Sequence, residues 1–260
     1  MSLRTGLTAL LALALSLGGG LAAGAQPAPT PLAIAAAGDL RGALEDVRLA
    51  FEAGHPKVQL RLTYGASGSL TAQIQQGAPF DVFLAADAGF PERLQKAGLA
   101  GPEGPFPYAT GCLVLWVRKD LGLDPGREGL RTLLNPALKK IATANPLVAP
   151  YGRAGEEALR QAGLFLAVRP RLVYADNIAQ AAQFLQAGTA EAGLISSSQA
   201  NALGALGQAW RLPAEAYPPL RQAGVVLKAS GHPEQARAFV TFLTGAEGQA
   251  ILGRHGFGKP

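Results

Sequence analysis

Short apolar runs typical of β-strands alternate with amphipathic helical patterns along the first hundred residues, and this alternation limits the possible folds more than any other feature. In chain order the runs and helical patterns span residues 32–37, 40–54, 58–64, 69–76, 80–86 and 88–97. The first helical pattern places its apolar residues on one face. The order βαβαβα predicts a mostly parallel sheet covered by helices on both faces.

The same alternation begins again after a long strand-like run at 111–119. Further helical patterns and strand-like runs lie near 128–134, 140–144, 153–164, 170–174, 177–188, 190–196 and 223–228, and two helical segments end the chain. If the chain crosses near 111 and returns near 220, it forms two α/β lobes. We expect residues 26–110 and 222–260 in lobe I and 111–221 in lobe II, with ligands between the carboxyl ends of the strands.

The first 25 residues have the features of a secretory signal peptide. One Arg precedes an apolar run, and Ala23-Gly24-Ala25 matches an A-x-A cleavage site. The alternative is a retained membrane anchor, but the run breaks at 18–20, short of the roughly 20 apolar residues that a span needs. We expect cleavage after Ala25 and export of a chain that begins at Gln26.

Composition supports a stable exported protein without disulfides. Removal of residues 1–25 from the 260 leaves 235 residues, and the hydrophobic content of 48% is ample for one large or two modest domains. Cys112 is the single cysteine, so no internal disulfide can form. Its apolar surroundings, GCLVLWV, indicate a buried bystander rather than a reactive thiol.

The charge pattern excludes several classes of function. The formal charge of +5 includes Arg4, so 22 basic and 18 acidic residues remain after cleavage. The basic residues are dispersed, with no run longer than Lys139-Lys140, and we expect no nucleic-acid partner. The three His and one Cys lack metal-ligand spacing, and no Walker phosphate loop is present.

The stretch TYGASGSLTAQI (63–74) is a candidate anion site. It contains the end of a strand-like run, a Gly/Ser turn and the start of a helical pattern. The first N–H groups of a helix are unpaired, and the helix dipole favours negative charge at that end. Many such turns merely connect two elements, so the loop alone leaves both interpretations open.

Five stretches together resemble a known family. They are AAAGDLRGAL (35–44), YGASGSLTAQIQQGAPFDVFLAAD (64–87), LVAPYGRAGEEAL (147–159), DNIAQAAQFLQAGTAEAGLISSSQA (176–200) and GQAILGRHGFGKP (248–260). With these motifs at this spacing, the chain resembles the periplasmic molybdate-binding proteins of ABC transporters over essentially its whole mature length. The resemblance implies a type II periplasmic binding protein with two α/β lobes, each a mostly parallel sheet flanked by helices.

The resemblance also implies a function and partners. A protein of this family captures a tetrahedral oxyanion, molybdate or tungstate, between its lobes through neutral hydrogen-bond donors, without direct ligands to the metal. Oriented N–H and O–H dipoles can hold an anion without general charge attraction. The expected protein is a periplasmic monomer that serves an ABC permease in the inner membrane. It needs no cofactor and is not an enzyme.

Position by position, the resemblance implies five ligand-binding residues: Asp39, Ser67, Tyr151, Ile178 and Ser196. Ser67 matches a family Ser, and the backbone N–H groups of Tyr151 and Ile178 match family donors. Asp39 replaces a family Ser, and Ser196 replaces a family Tyr. Because Ser is shorter than Tyr, Ser196 reaches the ligand through water, or Ser197 or Tyr151 substitutes for it.

Each of these residues also has a purely structural interpretation. Ser67 or Asp39 could be a helix cap, and Tyr151 could be a surface aromatic in a turn. Ile178 at a helix start suits the core by its side chain, which is compatible with an N–H that points at a ligand.

Asp39 conflicts with an oxyanion, because a carboxylate about 4 Å from an anionic charge is repelled. In the favoured arrangement the Asp39 side chain caps the N–H groups of Arg41 or Gly42, and the Asp39 backbone N–H faces the ligand. The nearby Arg41 partly compensates the negative charge of the carboxylate. In the alternative arrangement the ligand brings a proton that the carboxylate accepts.

Three other functions remain as alternatives. GASGS superficially suggests the nucleophile elbow of a serine hydrolase, but Ser69 stands in place of the second Gly. A second alternative is the same fold with another ligand, such as sulfate, phosphate, a carboxylate or a metal–anion complex. The third, a signalling or adhesion module, predicts no deep polar cleft between lobes.

Overall fold

The computed structural model of the protein describes residues 28–260. The expected signal peptide, its cleavage site after Ala25 and the new terminus at Gln26 lie outside the described residues. Within residues 28–260, no helix combines the length and the apolar character needed to cross a bilayer.

The described chain alternates strands and helices. Its first half contains β1 (Thr30–Ala37), α1 (Arg41–Gly54), β2 (Val58–Gly65), α2 (Ser67–Gln75), β3 (Val82–Ala85), α3 (Gly89–Lys96), β4 (Phe106–Gly111), β5 (Leu113–Arg118) and α4 (Pro125–Glu128). Its second half contains β6 (Ile141–Ala144), α5 (Pro150–Gln161), α6 (Phe165–Val168), β7 (Leu172–Ala175), α7 (Ile178–Gln186), β8 (Ala192–Ser196), α8 (Ser197–Leu203), β9 (Gly207–Arg211), β10 (Leu220–Val226), α9 (Pro233–Thr244) and α10 (Ala246–Arg254).

The strands form two five-stranded sheets with the same topology. The order is β2-β1-β3-β10-β4 in the first sheet, which organises lobe I, and β7-β6-β8-β5-β9 in the second, which organises lobe II. In each sheet three neighbouring strands are parallel, and the fourth strand, β10 or β5, runs antiparallel to both of its neighbours. Four of five strands therefore share one direction, and the predicted two-lobed α/β fold is confirmed.

The chain crosses between the sheets twice. The first crossing is the single residue Cys112, a buried free thiol between β4 and β5. The second is the segment 212–219 between β9 and β10. The two crossings touch, because the Leu113 N–H donates to the Tyr217 hydroxyl at 3.1 Å.

Each lobe has an apolar core of its own. In lobe I, the buried face of α1 packs beside α9, where Phe51 meets Phe239 edge to face with ring centroids 5.6 Å apart. In lobe II, Trp116 on β5 is among the largest fully buried side chains. Aromatic burial of this kind stabilises each sheet independently.

Several predicted boundaries were wrong. The strand predicted at 111–119 is the end of β4 followed by β5, because the chain changes sheets at Cys112. The helix predicted near 128–134 is the short α4 followed by a 3-10 segment at 129–134. Four further elements, β4, α6, α8 and β9, were not predicted from the sequence.

Candidate anion-binding site

A small cavity of about 10 Å³ lies where the two lobes meet. Residues from both lobes line it: Ala37, Gly38, Asp39, Gly65, Ala66, Ser67, Ala86, Ala149, Pro150, Tyr151 and Ile178. In lobe I these residues follow the carboxyl ends of β1, β2 and β3, which is where ligands bind in sheets of this kind. A larger groove beside Trp116 and Leu206 is open to solvent and lies on lobe II alone.

Ser67 is the first residue of α2 and is buried. It does not cap the helix, since Ala66 is the N-cap and no side-chain cap bond forms there. Instead, the Ser67 Oγ accepts the Ala86 N–H at 3.1 Å. A hydroxyl that accepts from the protein keeps its own proton for another acceptor, so Ser67 is suited to donate into the cavity.

Tyr151 lies in the first turn of α5 and is almost fully buried, which overturns its interpretation as a surface aromatic. Its backbone N–H has no partner among the described residues, as expected for the start of a helix. Its hydroxyl lies 3.4 Å from Gln222 Nε2. Burial raises the pKa of the Tyr151 hydroxyl well above its usual value, so the hydroxyl is neutral.

Ile178 begins α7 behind a conventional cap. The Asn177 Oδ1 accepts the N–H groups of Ala179 and Gln180 at 3.0 and 3.1 Å. The N–H of Ile178 itself has no partner in the part of the chain that the structure describes. Its side chain is buried in the core of lobe II, so the structural interpretation holds, and this burial is compatible with an N–H that points at a ligand.

Asp39 lies in a 3-10 turn between β1 and α1 and is fully buried. The favoured cap on Arg41 or Gly42 is wrong, since the carboxylate makes no cap bond. Its Oδ2 accepts the Gln222 Nε2 instead, and its Oδ1 has no partner among the described residues. Arg41 is not among the groups that shift the pKa of the Asp39 carboxyl, and its guanidinium stacks over the Tyr64 ring at 4.5 Å.

Burial has the largest effect on the pKa of the Asp39 carboxyl. It raises the pKa of the Asp39 carboxyl to about 6, although Gln222, Tyr151 and the neighbouring backbone lower it in part. Desolvation disfavours the charged form of a carboxyl group. Asp39 is therefore close to half protonated slightly below neutral pH.

Ser196 does not line the cavity, unlike the other four predicted residues. Its Oγ accepts the Gln199 N–H at 3.2 Å, which caps α8, and lies 2.9 Å from the Ser198 Oγ. The Ser198 Oγ in turn donates to the Asp39 carbonyl oxygen at 2.7 Å. Ser196 thus supports the turn at Asp39 through Ser198.

Gln222, which was not predicted from the sequence, is the main partner of the Asp39 carboxylate. Gln222 is buried on β10, in the stretch RQAGVV. A single amide inside a buried apolar strand is a signal that could have identified it, since buried polar side chains require partners.

Hydrogen bonds and an ion pair join the lobes around the cavity. The Gly68 N–H donates to the Val148 carbonyl oxygen at 2.9 Å. On the other side, the Gln199 Nε2 donates to the Gly38 carbonyl oxygen at 3.0 Å. At the rim, Arg153 pairs with Asp87 at 2.7 Å. The two lobes are therefore in a closed arrangement.

The cavity offers neutral donors and no cationic side chain. Arg, Lys and His are absent from its lining residues, so no imidazole is in place to activate Ser67 as a nucleophile. The starts of α2, α5 and α7 all meet at the cavity. Helix N-termini favour anions through their free N–H groups and their dipoles.

Comparisons with known proteins agree with this architecture. Residues 32–258 match the family of bacterial extracellular solute-binding proteins. The chain is 38% identical to the molybdate-binding protein ModA of Azotobacter vinelandii over 95% of this chain and 96% of that protein. It is 36% identical to the protein of the same name from Rhodobacter capsulatus over 75% of each chain.

Solved structures give the same result. The periplasmic molybdate-binding protein of Azotobacter vinelandii superposes with a TM-score of 0.81 at 32% identity, over 88% of this chain and 99% of that one. The sulfate-binding protein SubI of Mycobacterium tuberculosis superposes with a TM-score of 0.72 over 88% and 86% of the two chains, but its 20% identity shows the fold alone.

The chain belongs to the family of bacterial extracellular solute-binding proteins. The resemblance inferred from the sequence motifs is confirmed, and the protein is a binding protein rather than an enzyme.

Proposed function

We propose that this protein captures molybdate or tungstate in the cavity between its lobes and delivers the oxyanion to an ABC importer. The observation that carries the proposal is the small cavity between the lobes, which is lined by Ser67 and by the first residues of α5 and α7. Neutral donors of this kind, fixed on rigid helices, bind anions without a compensating cation.

The size of the cavity supports a small inorganic ligand. In this closed arrangement its volume is about 10 Å³, far below the roughly 300–1,000 Å³ of sites that hold drug-sized molecules. The names of the relatives point to molybdate, and the four lining residues Asp39, Ser67, Tyr151 and Ile178 are the proposed ligands. Ser196 acts on the site indirectly.

Titration calorimetry of the ligand-free protein tests the proposal against its alternative, the same fold with another anion. Molybdate and tungstate should bind saturably with one anion per chain, and sulfate and phosphate should bind at least tenfold more weakly. Tighter binding of sulfate or phosphate would assign the site to that anion instead.

The localisation, processing, oligomeric state and partners of the protein are inferred from the sequence alone. Export to the periplasm, cleavage after Ala25 and a monomeric mature protein remain our proposals, as does delivery to a permease in the inner membrane without nucleic-acid contacts. The proposed lobes are residues 26–110 with 222–260 and residues 111–221; these bounds differ by one or two residues from the sheets, since Gly111 ends β4 and Leu220 begins β10. N-terminal sequencing of the exported protein should return Gln26, whereas Met1 would contradict cleavage.

A further inference from the structure

We propose that Asp39 takes up a proton when the oxyanion enters the cavity, and that it binds the anion as a neutral carboxylic acid that donates its O–H. The inference rests on the proposed oxyanion function and deepens it. It assigns to Asp39 the donor role that a Ser hydroxyl would otherwise fill.

The geometry of the carboxyl group supports this role. Asp39 lines the cavity and is fully buried. One oxygen, Oδ2, is engaged by Gln222, whereas Oδ1 is buried without a partner in residues 28–260. An unpartnered buried carboxylate oxygen is unfavourable, but a protonated Oδ1 could donate to an anion in the same cavity.

The surroundings of Asp39 offer no positive charge. The titratable groups near it are the hydroxyls of Tyr151 on α5 and Tyr108 on β4, and both have a pKa raised well above the usual value. The adjacent ends of α7 and α8 contribute Asn177, Ser198 and Gln199, which are neutral. On α1, Arg41 stacks on Tyr64 instead. The carboxylate therefore has no cation that would keep it charged beside an anion.

Binding of an oxyanion should be accompanied by uptake of a proton by Asp39. Burial raises the pKa of Asp39 to about 6 in the free protein, and an oxyanion in the cavity raises it further by repulsion. Above pH 6, binding of a dianion must then take one proton from solvent to the Asp39 carboxylate, and no other bond is formed or broken. The dissociation constant should rise by up to tenfold for each pH unit above about 6 until the bound state also loses its proton.

Calorimetry on the mature protein provides the test. Sodium molybdate is titrated at pH 6, 7 and 8, each in two buffers of different ionisation enthalpy, so that proton uptake is measured directly. The wild type should take up close to one proton per molybdate at pH 8 and should bind at least tenfold more weakly at pH 8 than at pH 6. Asp39→Asn should take up none, and its dissociation constant should change less than threefold.

Asp81→Asn is the matched control, because Asp81 is a buried carboxylate of lobe I that pairs with the Ala33 N–H and Ser230, away from the cavity. It should keep the pH dependence of the wild type. If Asp39→Asn fails to fold, a ¹³C carboxyl titration of the wild type replaces it, with a midpoint near 6 that moves above 8 when molybdate binds.

The outcomes separate the two proposals. Molybdate binding by the wild type without proton uptake and with a constant affinity would overturn the role of Asp39 and leave the proposed function intact. Tight binding of phosphate without proton uptake would mean that the ligand brings its own proton to the carboxylate, which also overturns the inference. Absence of any oxyanion binding at pH 6 would overturn the proposed function and this inference with it.

Discussion

The backbone N–H of Gly68 donates to the carbonyl oxygen of Val148 across the cleft, with 2.9 Å between nitrogen and oxygen. A Cβ atom at position 68 would lie 2.9 Å from that same oxygen and 3.1 Å from the Val148 Cα. Only glycine therefore allows the two backbones to approach this closely. Because Gly68 directly follows Ser67, the turn that carries the proposed hydroxyl donor also makes a contact of the closed state.

Gly68→Ala should impair closure. The added methyl group meets backbone atoms that cannot rotate away, so the lobes must stay slightly apart and the donors of lobe II must move back from the anion. We expect molybdate affinity to fall at least tenfold by calorimetry. Solution scattering should show a smaller decrease in radius on binding than in the wild type, which should become more compact as a two-lobed clamp closes.

Gly253→Ala is a matched control for this variant. Gly253 lies inside α10, and a Cβ there would meet nothing within 4 Å. Because Gly253 lies in the last turn of α10, alanine gains less there than the roughly 1 kcal/mol of a helix interior, so this variant should keep its stability and bind molybdate normally. Affinity within twofold of the wild type for Gly68→Ala would show that closure does not depend on this contact.

Ser67→Ala should remove one donor to the anion. A hydrogen bond to a charged group contributes about 1.5–3 kcal/mol, so calorimetry should show molybdate binding weakened by roughly ten- to 150-fold. Ser69→Ala on the same helix is the control and should bind within twofold of the wild type. A loss of only a few tenths of a kcal/mol for Ser67→Ala would show that the hydroxyl serves the Ala86 N–H alone.

The alternation of elements and the two lobes could be predicted from the sequence, because both depend on local periodicity. The strand end, Gly/Ser turn and helix start around Ser67 were visible as a possible anion site, whereas Tyr151 and Ile178 were predicted from the resemblance to the family. The structure brings all three residues to one cavity.

The surroundings of Asp39 were not predictable in the same way. The prediction that Asp39 caps a helix considered only its neighbours in sequence. Its actual partner, Gln222, is 183 positions away on β10, the strand that follows the second crossing between the lobes. Ser196 was predicted as a ligand-binding residue from the resemblance to the family, but its Oγ accepts the Gln199 N–H at the start of α8 and hydrogen-bonds to the Ser198 Oγ. Long-range partners of buried polar groups depend on tertiary packing, which local patterns do not encode.

The ion pair between Arg153 and Asp87 should contribute little to closure. It joins the lobes at 2.7 Å, but about 40% of each side chain is exposed. Ion pairs in contact with solvent typically contribute about 0.2–1 kcal/mol and weaken with salt. Arg153→Gln should therefore reduce molybdate affinity less than about fivefold, and the difference should shrink further in 1 M NaCl. A larger loss that persists in high salt would indicate a direct role in binding.

Asp39→Asn should stabilise the ligand-free protein in a pH-dependent way. The folded-state pKa of about 6 lies above the unfolded value of 3.8, so the folded state holds the Asp39 proton more tightly than the unfolded state does. The wild type therefore loses stability as pH rises from about 4 through 6, by up to about 3 kcal/mol at 1.36 kcal/mol per pKa unit. Asparagine has no proton to lose, so the variant does not lose stability in this way.

Urea unfolding should show similar stability of the two proteins near pH 4 and a stability advantage for Asp39→Asn that grows to a plateau above pH 7. An advantage of equal size at both ends of this range would mean that Asp39 does not titrate in the folded protein near pH 6.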